Sequence, residues 1–103
     1  MTKFAYFCGH EQWQPEELVE HTVLAEKAGF DMAVISEHFH PWVDDQSAAG
    51  FAFSTIGAMA ASTSSITFTT GVTTPLFRYH PGVVAQAAAT LDRLSDGRFN
   101  LGV

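Results

Sequence analysis

Residues 36–42 read Ser36-Glu37-His38-Phe39-His40-Pro41-Trp42 and follow the apolar run Met32-Ala33-Val34-Ile35. A carboxylate beside an imidazole can exchange protons near neutral pH, and an indole can stack on a flat ligand. No other segment concentrates as much chemistry. Each group also has a plainer use. His38 could be a surface histidine, His40 could face solvent or line a substrate mouth, and Trp42 could anchor the loop to a core. The stretch from Thr70 to Pro81 adds Arg78 and Tyr79. These could reach an anionic ligand, or Arg78 could pair with an acid on a neighbouring loop. Trp13 reads as packing or mouth lining, and Asp44-Asp45 as a solvated loop tip.

Strands and helices must hold these loops in place. Strand-like runs cover Phe4 to Cys8, Met32 to Ile35, Ile66 to Thr70 and Arg98 to Val103. Three helical patterns alternate with them. The first opens at Pro15 with Glu16 and Glu17, a start that suits the first turn and the helix dipole. Leu18, Val19, Thr22, Val23 and Ala25 then recur at helical spacing, and Gly29 supplies the stop. The second covers Phe51 to about Ser62, with Phe53, Ile56, Met59 and Ala60 facing inward. The third runs from Pro81 through Val83, Val84, Ala87, Ala88 and Leu91 to Asp96-Gly97.

The order βαβαβαβ, with a repeat of roughly 30 residues, predicts an α/β fold with parallel strands covered by helices. Cys8-Gly9-His10 is followed by Glu11-Gln12, so the glycine fingerprint of a dinucleotide-binding sheet is missing. A (β/α)8 barrel is the better candidate, and such a barrel takes about 250 residues. The sequence stops at Phe99-Asn100-Leu101-Gly102-Val103, inside the fourth strand. Residues 1–103 therefore read as the first half of a barrel, a piece of a longer chain.

Composition narrows the function classes. A formal charge of −6, with only five scattered Lys and Arg, argues against a nucleic-acid partner. One cysteine, Cys8, cannot form an intrachain disulfide and fits a reducing compartment. No run approaches the roughly 20 apolar residues of a membrane span. The expectation is a cytoplasmic protein with a small-molecule substrate and no membrane partner.

With both loop segments in view, the chain resembles the luciferase-like flavin and deazaflavin oxidoreductases, and within them the F420-dependent glucose-6-phosphate dehydrogenase group. The resemblance runs from about Lys3 to Val103. It includes Ala28-Gly29-Phe30-Asp31, the segment Thr70-Gly71-Val72-Thr73-Thr74-Pro75, Val84-Ala85-Gln86-Ala87, and Gly97-Arg98-Phe99-Asn100-Leu101-Gly102-Val103. It implies a TIM barrel that binds coenzyme F420 at the C-terminal ends of its strands and works as a homodimer. It places His38 at the catalytic histidine. Glu37 falls where the family carries an acid, often Asp, that contacts the deazaflavin. Trp42 matches a tryptophan beside the ring system, and Thr74 a cofactor-contacting threonine. Gly71-Val72 matches a non-prolyl cis peptide pressed against the ring. The implied reaction passes hydride between a carbinol carbon, of an alcohol or a sugar phosphate, and the deazaflavin.

Three other readings stay open at this point. FMN could replace F420 in a monooxygenase built on the same barrel. The chain could be a non-catalytic half-barrel that assembles with itself. His38-x-His40 with Glu37 also resembles the two-histidine metal site of amidohydrolases. That motif belongs after a first strand, however, and here it follows the second, with Pro41 bending the chain just beyond. No metal ligand is assigned.

Overall fold

The computed structural model describes residues 1–103. Its elements follow the expected order: β1 (Ala5–Cys8), α1 (Pro15–Ala28), β2 (Met32–Ile35), α2 (Ala52–Ser62), β3 (Thr67–Thr70), α3 (Pro81–Leu94) and β4 (Phe99–Asn100). The strands form one parallel sheet in the order β1-β2-β3-β4. Cys8 pairs with Ile35 and Ile35 with Thr70, so the first three strands end level with one another. Every loop that follows a strand therefore opens at the same edge of the sheet. That levelling gathers the site.

Side chains alternate across the sheet, as the two-residue period of a strand requires. Cys8, Ala33, Ile35 and Phe68 point into the helix layer and are buried there. They meet Leu18 and Ala25 of α1, Phe53, Ile56 and Met59 of α2, and Val84 and Leu91 of α3. The opposite face carries Phe7, Val34 and Thr69 and has no cover, leaving Phe7 58% exposed.

The helix signals act as the residues suggest. Glu17 accepts from the Gln14 N–H at 2.9 Å ahead of Pro15, and Gly29 closes α1 in the left-handed region at φ 92°. Phe53, Ile56, Met59 and Ala60 of α2 all face inward. On α3, Val83 is 52% exposed. Adjacent positions on a helix point about 100° apart, and Val84, Ala87, Ala88 and Leu91 already form the i, i+3, i+4, i+7 stripe.

The fourth strand is shorter than expected, since only Phe99 and Asn100 join the ladder. Beyond Thr70 the pairing to Gly102 is made by the Thr73 N–H, which donates to the Gly102 carbonyl at 2.8 Å, together with a side chain. Thr70 Oγ1 donates to the Gly102 carbonyl and accepts from the Gly102 N–H, both at 3.0 Å. A Cβ on Gly102 would lie 1.9 Å from the Thr70 carbonyl oxygen, so this closure admits only glycine.

Two charged side chains pin the turn between α2 and β3. Glu26 of α1 accepts the N–H groups of Ser64, Ser65 and Ile66. Arg98 donates to the carbonyls of Ala60 and Thr63, acceptors left open where α2 ends, and to that of Ile66 just ahead of β3. No helix is long and apolar enough to cross a membrane.

Candidate functional site

Three loops meet at the C-terminal edge of the sheet. The β1–α1 loop brings His10 and Glu11, the β2–α2 loop brings Glu37 to Trp42, and the β3–α3 loop brings Gly71 to Tyr79. Two polar clusters form among them, one around His38 and the other around Glu37.

His38 is held between an indole and a carboxylate. Trp42 Nε1 donates to His38 Nδ1 at 3.0 Å. An indole nitrogen can only donate, so Nδ1 is the lone-pair nitrogen and the neutral ring carries its proton on Nε2. Glu11 Oε1 lies 3.0 Å from Nε2. The approach is off the N–H axis, since Oε1 is buried and makes no hydrogen bond. The contact is therefore an electrostatic one, and it strengthens when the ring takes a second proton. Ser36 Oγ donates to Glu11 Oε2 at 3.0 Å and fixes the other oxygen.

Glu11 drew no role from the sequence, where it only stood in place of a glycine fingerprint. The signal available was its position in the loop after a first strand, the same sheet edge as His38. Its neighbour His10 is fully buried, with Nδ1 3.0 Å from the Ser36 carbonyl and Nε2 2.9 Å from Thr55 Oγ1. Burial pushes its imidazole below the ordinary range, partly opposed by the Ser36 carbonyl and the nearby Glu11. His10 thus ties the β1–α1 loop to β2 and α2.

Glu37 is buried, although the motif resemblance gives it a ligand contact. Tyr79 Oη donates to Glu37 Oε1 at 2.7 Å. Arg78 pairs with the same oxygen and also donates to Tyr79 Oη. Arg78 is thus the structural arginine paired with an acid on a neighbouring loop. Its guanidinium carbon lies 4.6 Å from the Tyr79 ring centre and 5.8 Å from that of Phe39.

Around these clusters lies exposed flat and apolar surface. Trp42 is 74% exposed and Val72 54%, and Thr74 is exposed beside them. The Gly71-Val72 bond is cis, and a Cβ on Gly71 would meet Val34 Cγ1 at 2.6 Å. Thr73 Oγ1 is buried with no hydrogen-bond partner. A cavity of about 340 Å³ opens beside His38, walled by Phe39, Phe51, Arg78 and Tyr79.

The remaining candidates separate from the site. His40 is exposed and its Nδ1 lies 2.7 Å from the Pro41 carbonyl, so it does not converge with His38. No three His, Cys, Asp or Glu side chains gather as a metal site would need. Trp13 stands edge-on to His21 with ring centres 4.9 Å apart. Cys8 is buried, and desolvation raises its thiol to about 11, against a weaker lowering by the Thr22 hydroxyl. Such a thiol is no nucleophile.

Comparison with known proteins gives the family and the fold. Residues 2–103 match the family described as luciferase-like monooxygenase. An F420-dependent glucose-6-phosphate dehydrogenase of Beutenbergia cavernae is 48% identical over 103 residues, covering 100% of this chain and 31% of that protein. An F420-dependent hydroxymycolic acid dehydrogenase of Mycobacterium tuberculosis is 47% identical over 94 residues, covering 91% of this chain and 26% of the relative. In structure, the chain matches an F420-dependent secondary alcohol dehydrogenase solved with an F420-acetone adduct. The TM-score is 0.92 at 37% identity, over 97% of this chain and 30% of that one. The chain therefore spans about a third of the length of the relatives it matches.

Proposed function

This chain belongs to the luciferase-like monooxygenase family, and on that premise we propose that residues 1–103 form the first four strands, about the N-terminal third, of a TIM-barrel, F420-dependent oxidoreductase. The reaction is the oxidation of an alcohol, with the coenzyme as hydride acceptor. The observation that carries the reading is the His38 cluster, in which one ring nitrogen is held as a proton acceptor beside an exposed aromatic and apolar surface.

The residues present suit the flat part of such a coenzyme. Trp42 and Val72 offer exposed apolar surface at the strand ends, and Gly71 keeps the backbone bare there. Trp42, Gly71, Val72 and Thr74 would hold the ring system, with the orphaned Thr73 hydroxyl beneath them. Glu37 would act through its edge of the site, paired with Arg78 and the Tyr79 hydroxyl. The deazaflavin, when bound, supplies a carbon that accepts hydride.

The protein's own work is then to orient the alcohol and take its hydroxyl proton. Neutral His38 accepts at Nδ1, so the indole N–H of Trp42 must give way to the substrate hydroxyl there. Glu11 faces the opposite nitrogen and stabilises the imidazolium that results.

Titration of the intact protein with F420 and, separately, with FMN tests the reading. Binding of F420, followed by loss of its visible absorption when an alcohol is added, is the expected result. Preference for FMN would move the protein to the monooxygenase side of the family.

A further inference from the structure

We propose that His10 is a positioning residue: locked beneath the strand ends, it holds Glu11 against His38 and so governs how readily His38 takes the substrate proton. This rests on the F420-dependent reading above and adds a fully buried residue to it.

The imidazole of His10 is bound at both ends. The Ser36 carbonyl, 3.0 Å from Nδ1, can only accept, so Nδ1 carries the hydrogen. Nε2 of the neutral ring then accepts from the Thr55 hydroxyl at 2.9 Å. The chain at position 50 passes close over the ring, where a Cβ on Gly50 would lie 2.8 Å from His10 Cδ2 and 2.7 Å from Pro15 Cγ. The ring is thus fixed to the end of β2, to α2 and to the segment entering α2. Burial lowers its basicity, against smaller raising effects of the Ser36 carbonyl and Glu11, so the ring stays neutral at pH 7. The Glu11 charge is left for His38.

Glu11 is the next residue, and its surroundings impose its placement. Its Oε1 is buried without a hydrogen bond, an unfavourable state that persists only where the neighbouring structure holds it. The holding groups trace back to His10. Locking the imidazole keeps the His10 N–H on Ser36 Oγ, to which it donates at 2.8 Å. That oxygen keeps its single hydrogen for Glu11 Oε2 at 3.0 Å, nearer than the Cys8 carbonyl at 3.3 Å. On the main chain, the Glu11 carbonyl accepts from the N–H groups of Ser47 and Ala48 at 3.2 and 3.3 Å. Backbone and side chain of Glu11 are therefore clamped to the loop that carries His38. Without the imidazole, Oε1 is free to turn toward water, and the counter-charge leaves His38 Nε2, now 3.0 Å away.

A double-mutant cycle in kcat tests this on the intact protein, with F420 as acceptor and isopropanol or glucose 6-phosphate as donor, whichever the wild type oxidises faster. His10→Ala should lower kcat about tenfold, as Glu11→Gln does, and leave the F420 Kd within about twofold. His10→Asn, whose side-chain N–H still reaches toward the Ser36 carbonyl, should recover most of that loss. In the Glu11→Gln background, His10→Ala should bring no further fall, because both changes remove the same interaction. Where His10→Ala does not fold, Thr55→Val deletes only the hydroxyl at Nε2 and runs the same cycle, with kcat down about threefold alone and unchanged beside Glu11→Gln. Effects that multiply in the double variant overturn the proposal and leave the F420 reading intact, since His10 would then support the fold without acting through Glu11. So does an unchanged kcat in His10→Ala. Failure of the wild type to bind F420, measured by quenching of the coenzyme's fluorescence, overturns both.

Discussion

At the scale of single residues, the account turns on which nitrogen of His38 is free to work. The indole of Trp42 can donate only to a bare nitrogen, which leaves Nδ1 basic and Nε2 toward Glu11. Glu11→Gln keeps the shape and removes the charge that faces the imidazolium. The expected result is a fall in kcat of about tenfold or more, below the 10²–10⁴ range of a lost general base. F420 affinity should stay unchanged. Unaltered kcat across the pH range would show that Glu11 is only a structural carboxylate. His38 itself was legible from its neighbours Glu37 and Trp42 in one short loop. Glu11 was not, because nothing local distinguishes it from any acid before a helix. Only the parallel pairing of β1 with β2 brings the two loops together.

At the scale of elements, periodicity carried most of the information and edges carried least. The apolar stripe of α2 was readable because Phe53, Ile56, Met59 and Ala60 fit one helical face. On α3 the stripe passes through Val84 and Leu91 and leaves the adjacent Val83 exposed. The reach of β4 misled, since apolar composition continues to Val103 while the ladder ends at Asn100. The hidden element-level device is the acid at the end of α1. Burial opposes ionisation of Glu26, but N–H groups of Ile66, Ser65 and Ser64 and the Ser65 hydroxyl outweigh it and bring its carboxyl down to about 2. The folded value lies below the ordinary 4.5, so its contribution is complete above that pH and is lost as pH falls toward about 2. Glu26→Gln should therefore lower the melting temperature near neutrality, and the gap to wild type should close on acidification. A gap of constant size from neutral to acid pH would contradict the ionic account of this cap.

At the scale of the molecule, the sheet has a finished face and an unfinished one. Helices cover Ala33, Ile35 and Phe68, while Phe7 lies open on the other side. β1 and β4 are both edges with unpaired backbone groups, which template further pairing. A protein consisting of residues 1–103 alone should associate, sedimenting as a dimer or larger at micromolar concentration. A monodisperse monomer would show that the open face needs no partner. Alternating elements made the parallel α/β architecture plain in the sequence, and the match to a TIM-barrel dehydrogenase agrees with it. The cavity beside His38 was not foreseeable, because its walls come from loops whose meeting depends on level strand ends.

The central claim is that this edge of the sheet binds a deazaflavin with one set of residues and takes the alcohol's proton with another. The most direct measurement compares wild-type intact protein with His38→Ala, recording F420 affinity and single-turnover reduction of the coenzyme by alcohol on the same samples. The account predicts an F420 Kd changed by no more than about threefold and a rate of reduction lowered by roughly 10²–10⁴-fold. Reduction at a near-normal rate by the His38→Ala protein would contradict it.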